Sequence, residues 1–142
     1  MGVKILRLVS LLALLGKNNC LVGSKHGSVL PGAPINISRD DAGLKQVVLN
    51  ATYYYNNRSN DAFLFKPAGI LSAQRQVVKG IKYLVDFEIS RTVCHKRNNR
   101  KNLTTCDFQP EGHLHQTLRC HHEVWLIPWE NIAKTKVLFC RS

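Results

Sequence analysis

The chain has 142 residues, of which 44% are hydrophobic and 20% are charged. This length suits a single domain, and this composition excludes a wholly disordered chain. The net charge of +11 favours an anionic partner or a cationic solubility shell, without choosing between them. The longest apolar run, Leu8 to Leu15, is broken by Ser10 and is too short to span a bilayer, so we expect no membrane span.

The N-terminus has the pattern of a secretory signal peptide. Lys4 and Arg7 form a basic segment ahead of the apolar run, and the run stops at Gly16. A buried helix of a cytosolic domain is the less favoured alternative, because the run begins within a few residues of the first methionine. We predict a signal peptide over residues 1–24, cleaved between Gly16 and Ser24, and therefore a secreted protein.

Secretion places the cysteines in an oxidising compartment. The five cysteines are Cys20, Cys94, Cys106, Cys120 and Cys140. The last four are expected to form two disulfides, for which three pairings exist, and sequential pairing closes the shortest non-overlapping loops. Cys20 is lost if cleavage follows Ser24, and it is available for an intermolecular bridge if cleavage follows Gly16.

Four N-x-[ST] sequons agree with secretion, and they lie at Asn36, Asn50, Asn57 and Asn102. We therefore predict N-glycosylation of at least one of these asparagines.

The mature chain begins with an irregular segment and continues with a helix. Residues 25–39 hold several Gly, Ser and Pro residues without periodicity, which predicts a flexible arm on a single domain that runs over 25–142. A helix is predicted from Asp40-Asp41, whose carboxylates suit a helix start, to the polar stretch 56–61. Its apolar face has helical spacing and consists of Leu44, Val47, Val48, Ala51, Tyr54 and Tyr55.

The remainder of the chain is predicted to form strands. Phe63–Phe65 is a short apolar run that Lys66–Gly69 is expected to stop, and residues 81–89 alternate in the way of a half-buried antiparallel strand. A second period-2 face is predicted for Leu114, Leu118, Cys120, Val124 and Leu126, and a short last strand for Val137–Cys140. The predicted fold class is α+β, one long helix on an antiparallel sheet of four or five strands.

Two turns carry unusual apolar residues. Gln76-Val77-Val78-Lys79-Gly80 separates two predicted strands, and Pro128-Trp129 precedes the last one. Exposed Val and Trp at turns are costly unless they meet a partner. The alternative, favoured for either turn alone, is that these side chains fold back onto the core.

Together these features resemble those of type 2 cystatins, which are secreted inhibitors of papain-like cysteine proteases. Gln76–Gly80 matches the QxVxG loop of that family, Pro128-Trp129 matches its PW pair, and Gly32 falls where it keeps an N-terminal glycine. The four later cysteines match its two sequential disulfides, Cys94–Cys106 and Cys120–Cys140. The resemblance covers roughly residues 30–142.

The resemblance implies a cystatin-like fold and reversible inhibition of papain-like proteases such as cathepsins. Protease binding would fall to Gly32, Gln76, Val77, Val78, Lys79, Gly80, Pro128 and Trp129. Gly32 would act as a hinge that lets Val29-Leu30 fill one side of the protease cleft. Such an inhibitor blocks the cleft without chemistry, so we expect no catalytic residue, no cofactor and no enzymatic activity.

Three segments resemble one branch of the family in particular: Asp61–Lys66, Gln76–Gly80 with Lys in its fourth place, and Cys106–Gln109. Cys20 falls near an extra cysteine of that branch, which is associated with disulfide-linked dimers. Arg58 stands where the branch tends to carry a second extra cysteine. The resemblance therefore leaves open whether the protein is a monomer or a dimer linked through Cys20. It also leaves open a secreted or an endolysosomal location.

A second protease site is implied by Ser59-Asn60-Asp61. In several cystatins an S-N-D segment after the helix binds legumain, which cleaves after asparagine, and Asn60 would be the residue presented here. The alternative is an ordinary helix-terminating turn.

The basic run and the histidine pair near Cys120 raise functions other than inhibition. The basic run from His95 to Lys101 is typical of a cationic host-defence protein that binds heparan sulfate or an anionic surface, but also of a solvated loop, which is the favoured interpretation. It lacks interleaved aromatic residues, so no nucleic-acid partner is expected. His121 and His122 beside Cys120 do not have zinc-site spacing and should point to opposite faces of a strand, so no metal is expected.

Overall fold

The computed structural model describes residues 32–98 and 102–142. One helix, α1 (Ala42–Arg58), lies against a five-stranded antiparallel sheet in which the strands are neighbours in chain order. The strands are β1 (Ile35–Asn36), β2 (Phe63–Val78), β3 (Gly80–His95), β4 (Thr117–Ile127) and β5 (Ile132–Arg141). The predicted α+β class is confirmed. The predicted signal peptide, Cys20 and Val29-Leu30 lie outside the described residues.

The helix begins and ends at the residues that its sequence indicates. Asp41 is the N-cap, and its Oδ2 accepts a hydrogen bond of 2.9 Å from the Leu44 amide. At the other end the Ser59 amide donates to the Tyr55 carbonyl, 2.9 Å away. The helix is therefore closed at both ends by its own side chains and backbone.

The buried face of α1 differs in part from the predicted one. Its apolar members Leu44, Val47, Val48 and Ala51 are buried, whereas Tyr54 is 40% exposed. Thr52 and Asn56 are buried instead, because the helix turns by about 100° per residue and they continue the stripe better than Tyr54 does. The Thr52 hydroxyl donates to the Val48 carbonyl, so the buried polar group is satisfied.

Asn56 ties the helix to the sheet. Its amide nitrogen donates to the Phe65 carbonyl, and its amide oxygen accepts from the Phe65 amide, both at 2.9 Å. This pair of bonds has the pattern that a neighbouring strand would supply, which compensates for burying the polar side chain.

The core lies between α1 and the inner face of β2, β3 and β4. Tyr83, Val85, Phe87 and Ile89 are all buried at alternate positions of β3, as the alternation predicts. Full burial of an apolar side chain of this size contributes roughly 1.5–3 kcal/mol. The sheet therefore has one buried face toward the helix and one outer face toward solvent.

The prediction that Lys66–Gly69 stops the strand beginning at Phe63 was wrong. β2 continues through Pro67, which pairs with Ile89, and register shifts absorb the irregularity on either side. β1 pairs only with Gln74 and Arg75, so among the described strands β3 is the single neighbour of β2 near Pro67. An edge position tolerates a proline because no second strand requires its missing N–H.

The ends of β4 and β5 also differ from the predictions. Leu114 precedes β4 and is 41% exposed, so it does not share the buried face with Leu118, Cys120 and Val124. β5 is longer than predicted, because pairing with β4 begins immediately after the turn, at Ile132. Tertiary pairing, and not local apolarity, sets both boundaries.

Both predicted disulfides are formed. Cys94 bonds to Cys106, and Cys120 bonds to Cys140, its directly paired residue on β5. Bonds of this kind add roughly 2–4 kcal/mol, mainly by restricting the unfolded chain. In residues 32–98 and 102–142, no helix is long and apolar enough to cross a membrane.

Candidate functional site

The strand order brings the three predicted protease-binding segments to one end of the sheet. β3 and β4 are neighbours, and Ile81 pairs with Leu126, so the β2–β3 turn and the β4–β5 turn lie side by side. Gly32 lies beside the first turn. We call Gly32, Gln76–Gly80 and Pro128–Trp129 together the loop end.

The first turn of the loop end is held by Gly80. Val78 pairs with Gly80, which leaves Lys79 at the tip. Gly80 has a φ of +89°, and a Cβ there would lie 2.2 Å from the Leu126 carbonyl oxygen. Only glycine suits both this backbone conformation and this close approach of β4.

The apolar residues of the first turn face solvent. Val77 is 63% exposed and Val78 is 38% exposed. The alternative in which these side chains fold back onto the core is therefore wrong for this turn. Both are short, branched side chains that lose little conformational freedom when they are covered.

The second turn presents a tryptophan. Pro128–Glu130 form one 3-10 turn, which closes where the Asn131 amide donates to the Pro128 carbonyl, 3.0 Å away. Asn131 has a φ of +54°, a left-handed conformation that asparagine adopts more readily than most residues. Trp129 is 67% exposed, so this side chain does not fold back onto the core either.

Two contacts fix the turns relative to each other. Lys79 Nζ lies 3.3 Å from Glu130 Oε2, and Trp125 Nε1 donates to the Lys79 carbonyl, 2.6 Å away. Neither Glu130 nor Trp125 was among the predicted site residues. Two features of the sequence could have indicated them. Glu130 is an acidic residue directly after Trp129, and Trp125 is a tryptophan at an outward position of a strand.

Gly32 is joined to the first turn through a side chain. Gln76 Nε2 donates to the Gly32 carbonyl, and a Cβ on Gly32 would lie 3.7 Å from the Val77 carbonyl oxygen. Gly32 has a φ of +86°, which disfavours any other residue. Two residues of the predicted arm, Ile35 and Asn36, are paired with β2 as β1.

Ser59-Asn60-Asp61 lies at the opposite end of the β2–β3 hairpin. β2 starts at Phe63, which pairs with His95, and ends at Val78, roughly 40–50 Å further along the strand. Asn60 is exposed, whereas Ser59 and Asp61 are partly buried. The two predicted protease sites are therefore separate surfaces.

Asp61 is ionised and firmly held. Partial burial opposes its charge, but hydrogen bonds from Arg91 and the Phe63 amide outweigh burial and lower the pKa of Asp61 below its usual value. Asp61 Oδ2 lies 2.5 Å from Arg91 Nη2. The carboxylate therefore stays charged and fixed in position near neutral pH.

The two adjacent histidines point to opposite faces, as predicted. His122 is buried toward the helix, where burial lowers its pKa although its Nδ1 lies 2.9 Å from the Val137 carbonyl oxygen. His121 lies on the outer face, where hydrogen bonds to Glu123 and Asp86 raise its pKa. Within the part of the chain that the structure describes, no group of three or more His, Cys, Asp or Glu residues could hold a metal ion.

All four asparagines of the sequons are exposed: Asn36, Asn50, Asn57 and Asn102. Residues 99–101 of the basic run lie outside the described residues. Lys96 of that run is partly buried and donates to the Ser59 carbonyl.

Comparison with known proteins extends these observations. A family described as "Cystatin: Cystatin domain" matches residues 32–129. Human cystatin-F is 44% identical over 115 residues, covering 81% of this chain and 79% of its own length. Mouse cystatin-F is 37% identical over 143 residues, covering 92% of this chain and 99% of its own.

A solved structure gives the same result for the fold. The crystal structure of dimeric human cystatin F superposes with a TM-score of 0.72 at 41% identity, covering 84% of this chain and 94% of that one. A salivary cystatin from the soft tick Ornithodoros moubata, at 21% identity and a TM-score of 0.64, supports the fold alone. The family match covers more than half of the chain and includes the residues of all three loop-end segments, so the chain belongs to the cystatin family.

Proposed function

We propose that this chain is a reversible inhibitor of papain-like cysteine proteases and blocks their active-site cleft with the loop end. The observation that carries the proposal is the placement of exposed Val77, Val78 and Trp129 on two adjacent, mutually braced turns. Large apolar side chains on pre-organised turns keep most of their contact energy as affinity, because little ordering entropy is lost on binding.

Each part of the loop end has a role in this proposal. Trp129 and the two valines enter the cleft as apolar anchors, and Gly80 lets the backbone approach its walls. Gly32 would act as a hinge that lets Val29-Leu30 fill the other side of the cleft. No group of the inhibitor takes part in bond making, so binding is reversible and competitive with substrate.

The proposal includes the biological setting. We propose a secreted or endolysosomal protein whose signal peptide spans residues 1–24 and whose exposed sequon asparagines accept glycans. If Cys20 is retained, a Cys20-linked dimer that covers the Gln76–Gly80 turn would be inactive until it is reduced.

The test is titration of the purified, secreted protein against a papain-like protease, with and without mild prior reduction. Competitive inhibition without reduction would support an active monomer or an open dimer. Inhibition only after reduction would support the latent Cys20-linked form. If the folded protein inhibits in neither state, the proposal fails, and the cationic surface-binding function becomes the better one, testable as salt-resistant retention on heparin.

A second proposed activity, inhibition of legumain through Asn60, is favoured by one observation. Asn60 is exposed between two anchored residues, Ser59 and Asp61, in the form expected of a residue that is presented to a protease. Asn60→Ala should abolish legumain inhibition and leave papain inhibition unchanged, because the loop end lies at the far end of the hairpin. Asn98→Ala, an exposed asparagine in a turn, is the matched control, and legumain inhibition that survives Asn60→Ala would refute the site.

A further inference from the structure

The residues on both sides of Asn60 are held by bonds that converge from several elements. The Ser59 amide donates to Tyr55 of α1, the Ser59 Oγ accepts from the Asp61 amide at 2.9 Å, and the Ser59 carbonyl accepts from Lys96 Nζ. On the other side, Asp61 Oδ1 accepts from the Phe63 amide at 2.9 Å. The Asn60 side chain therefore projects from a backbone that is fixed before and after it.

Arg91 of β3 is the centre of this arrangement. Its Nη2 contacts Asp61 Oδ2 at 2.5 Å and Gln116 Oε1 at 2.9 Å, and its Nη1 donates to the Leu114 carbonyl at 2.7 Å. The side chain is only 15% exposed, and its guanidinium lies 5.5 Å from the centre of the Phe65 ring. The planar guanidinium reaches these acceptors from two separate nitrogens in a fixed geometry, whereas the ammonium of a lysine presents all its donors from one atom.

The same contacts neutralise charge before any partner arrives. Asp61 is 20% exposed and already paired, so docking a protease against this segment does not require a new counter-charge for its carboxylate. Lys96 directs its charge to a carbonyl of the segment. The one polar side chain of the segment that stays exposed is Asn60.

We propose that Arg91 and Lys96 are positioning residues for Asn60: from β3 and the loop that follows it, they hold Asp61 and Ser59 so that Asn60 is presented to an asparagine-specific protease in one fixed geometry. This inference rests on the proposed legumain activity of Asn60. Pre-organisation lowers the ordering cost of binding, and it also keeps the segment from adapting to the enzyme as a flexible substrate does. Loss of either anchor should therefore weaken inhibition and speed cleavage after Asn60.

The experiment measures three quantities for each variant of the full-length protein: the inhibition constant for legumain, the rate of cleavage after Asn60 by mass spectrometry, and the inhibition constant for papain. Arg91→Gln should raise the legumain constant at least tenfold and accelerate cleavage, with papain inhibition within twofold of wild type. Lys96→Gln should act in the same direction with a smaller effect. Arg91→Lys should inhibit better than Arg91→Gln but less well than wild type, because lysine keeps the positive charge and lacks the planar guanidinium with its two terminal nitrogens. Arg119→Gln, an exposed cation on β4, is the matched control and should change none of the three.

The outcomes separate this inference from the activity on which it rests. If Asn60→Ala abolishes legumain inhibition while Arg91→Gln and Lys96→Gln leave both the legumain constant and the cleavage rate unchanged, the positioning role is overturned. If Asn60→Ala itself leaves inhibition intact, the legumain site is overturned. Should Arg91→Gln fail to fold, Asp61→Ala and Lys96→Gln test the same contacts from the segment side and the loop side, and unchanged cleavage after Asn60 in both overturns the inference.

Discussion

Lys79 Nζ and Glu130 Oε2 come from different hairpin turns and lie 3.3 Å apart at the loop end. The charge at the tip of the first turn is therefore paired before a protease binds. The two side chains are 63% and 40% exposed, so the pair contributes little to stability, and its expected role is to hold the turns in register.

A double-mutant cycle tests this pairing. Lys79→Gln and Glu130→Gln should each raise the inhibition constant for a papain-like protease by about two- to fivefold, the range for an exposed ion pair. The double variant should be no weaker than either single variant, because the second substitution removes nothing further. Independent, additive losses would show that the two charges act separately, and raised salt should shrink the effect.

Trp129 is expected to be the main anchor of the loop end. Trp129→Ala should weaken inhibition by roughly 2–4 kcal/mol, or about 30- to 1,000-fold in the inhibition constant, with little change in folding stability. Phe139→Ala is the matched control, because Phe139 is an aromatic residue of β5 that is 52% exposed and lies away from the loop end. An inhibition constant that responds equally to both substitutions would contradict the anchor role.

Gly80 is expected to be irreplaceable for a geometric reason. Gly80→Ala combines a φ of +89° with a Cβ 2.2 Å from a backbone oxygen of β4, so we expect a loss of roughly 2–4 kcal/mol in unfolding free energy and weaker inhibition. Gly69→Ala is the matched control, because a Cβ at Gly69 meets nothing within 4 Å. Its effect on urea unfolding should stay within about 1 kcal/mol, and equal losses for both would refute the argument.

The His121 contacts predict a pH-dependent contribution to stability. Its Nδ1 lies 2.7 Å from Asp86 Oδ1 and its Nε2 lies 2.8 Å from Glu123 Oε2, and only a doubly protonated ring donates to both. These bonds raise the pKa of His121 above its usual 6.5. The stabilisation is therefore fully present below that value and is lost as the pH rises through the folded-state pKa.

The corresponding variant is His121→Gln. Compared with wild type, this variant should have a lower unfolding free energy, and the difference should be larger at about pH 5 than at about pH 9. Urea denaturation at both pH values measures it. His122 titrates in the opposite sense, because burial lowers its pKa and the neighbouring charge of His121 lowers it further. His122 is buried in both proteins, so its burial does not distinguish them. If the difference in unfolding free energy between wild type and variant does not change with pH, protonation of His121 does not stabilise the fold.

Much of the fold was predictable because it depends on local periodicity. The alternation from Ile81 to Ile89 predicted a strand with one buried face, and Asp40-Asp41 predicted the helix start, where Asp41 is the cap. Patterns of this kind reflect the geometry of one element, which the sequence alone specifies. The continuous β2 was not predictable in this way, because Pro67 is tolerated only through the edge position that strand pairing creates.

The sequence by itself determined which residues carry the loop end: the glycine of the arm, the Gln76–Gly80 turn and Pro128-Trp129, together with the four cysteines of the two disulfides. Only the tertiary structure decided that Val77 and Trp129 face solvent, that Glu130 pairs with Lys79, and that Arg91 holds Asp61. The physical reason is sequence separation. Arg91 and Asp61 are 30 residues apart, and their contact exists because antiparallel pairing of β2 with β3 brings the two chain segments together.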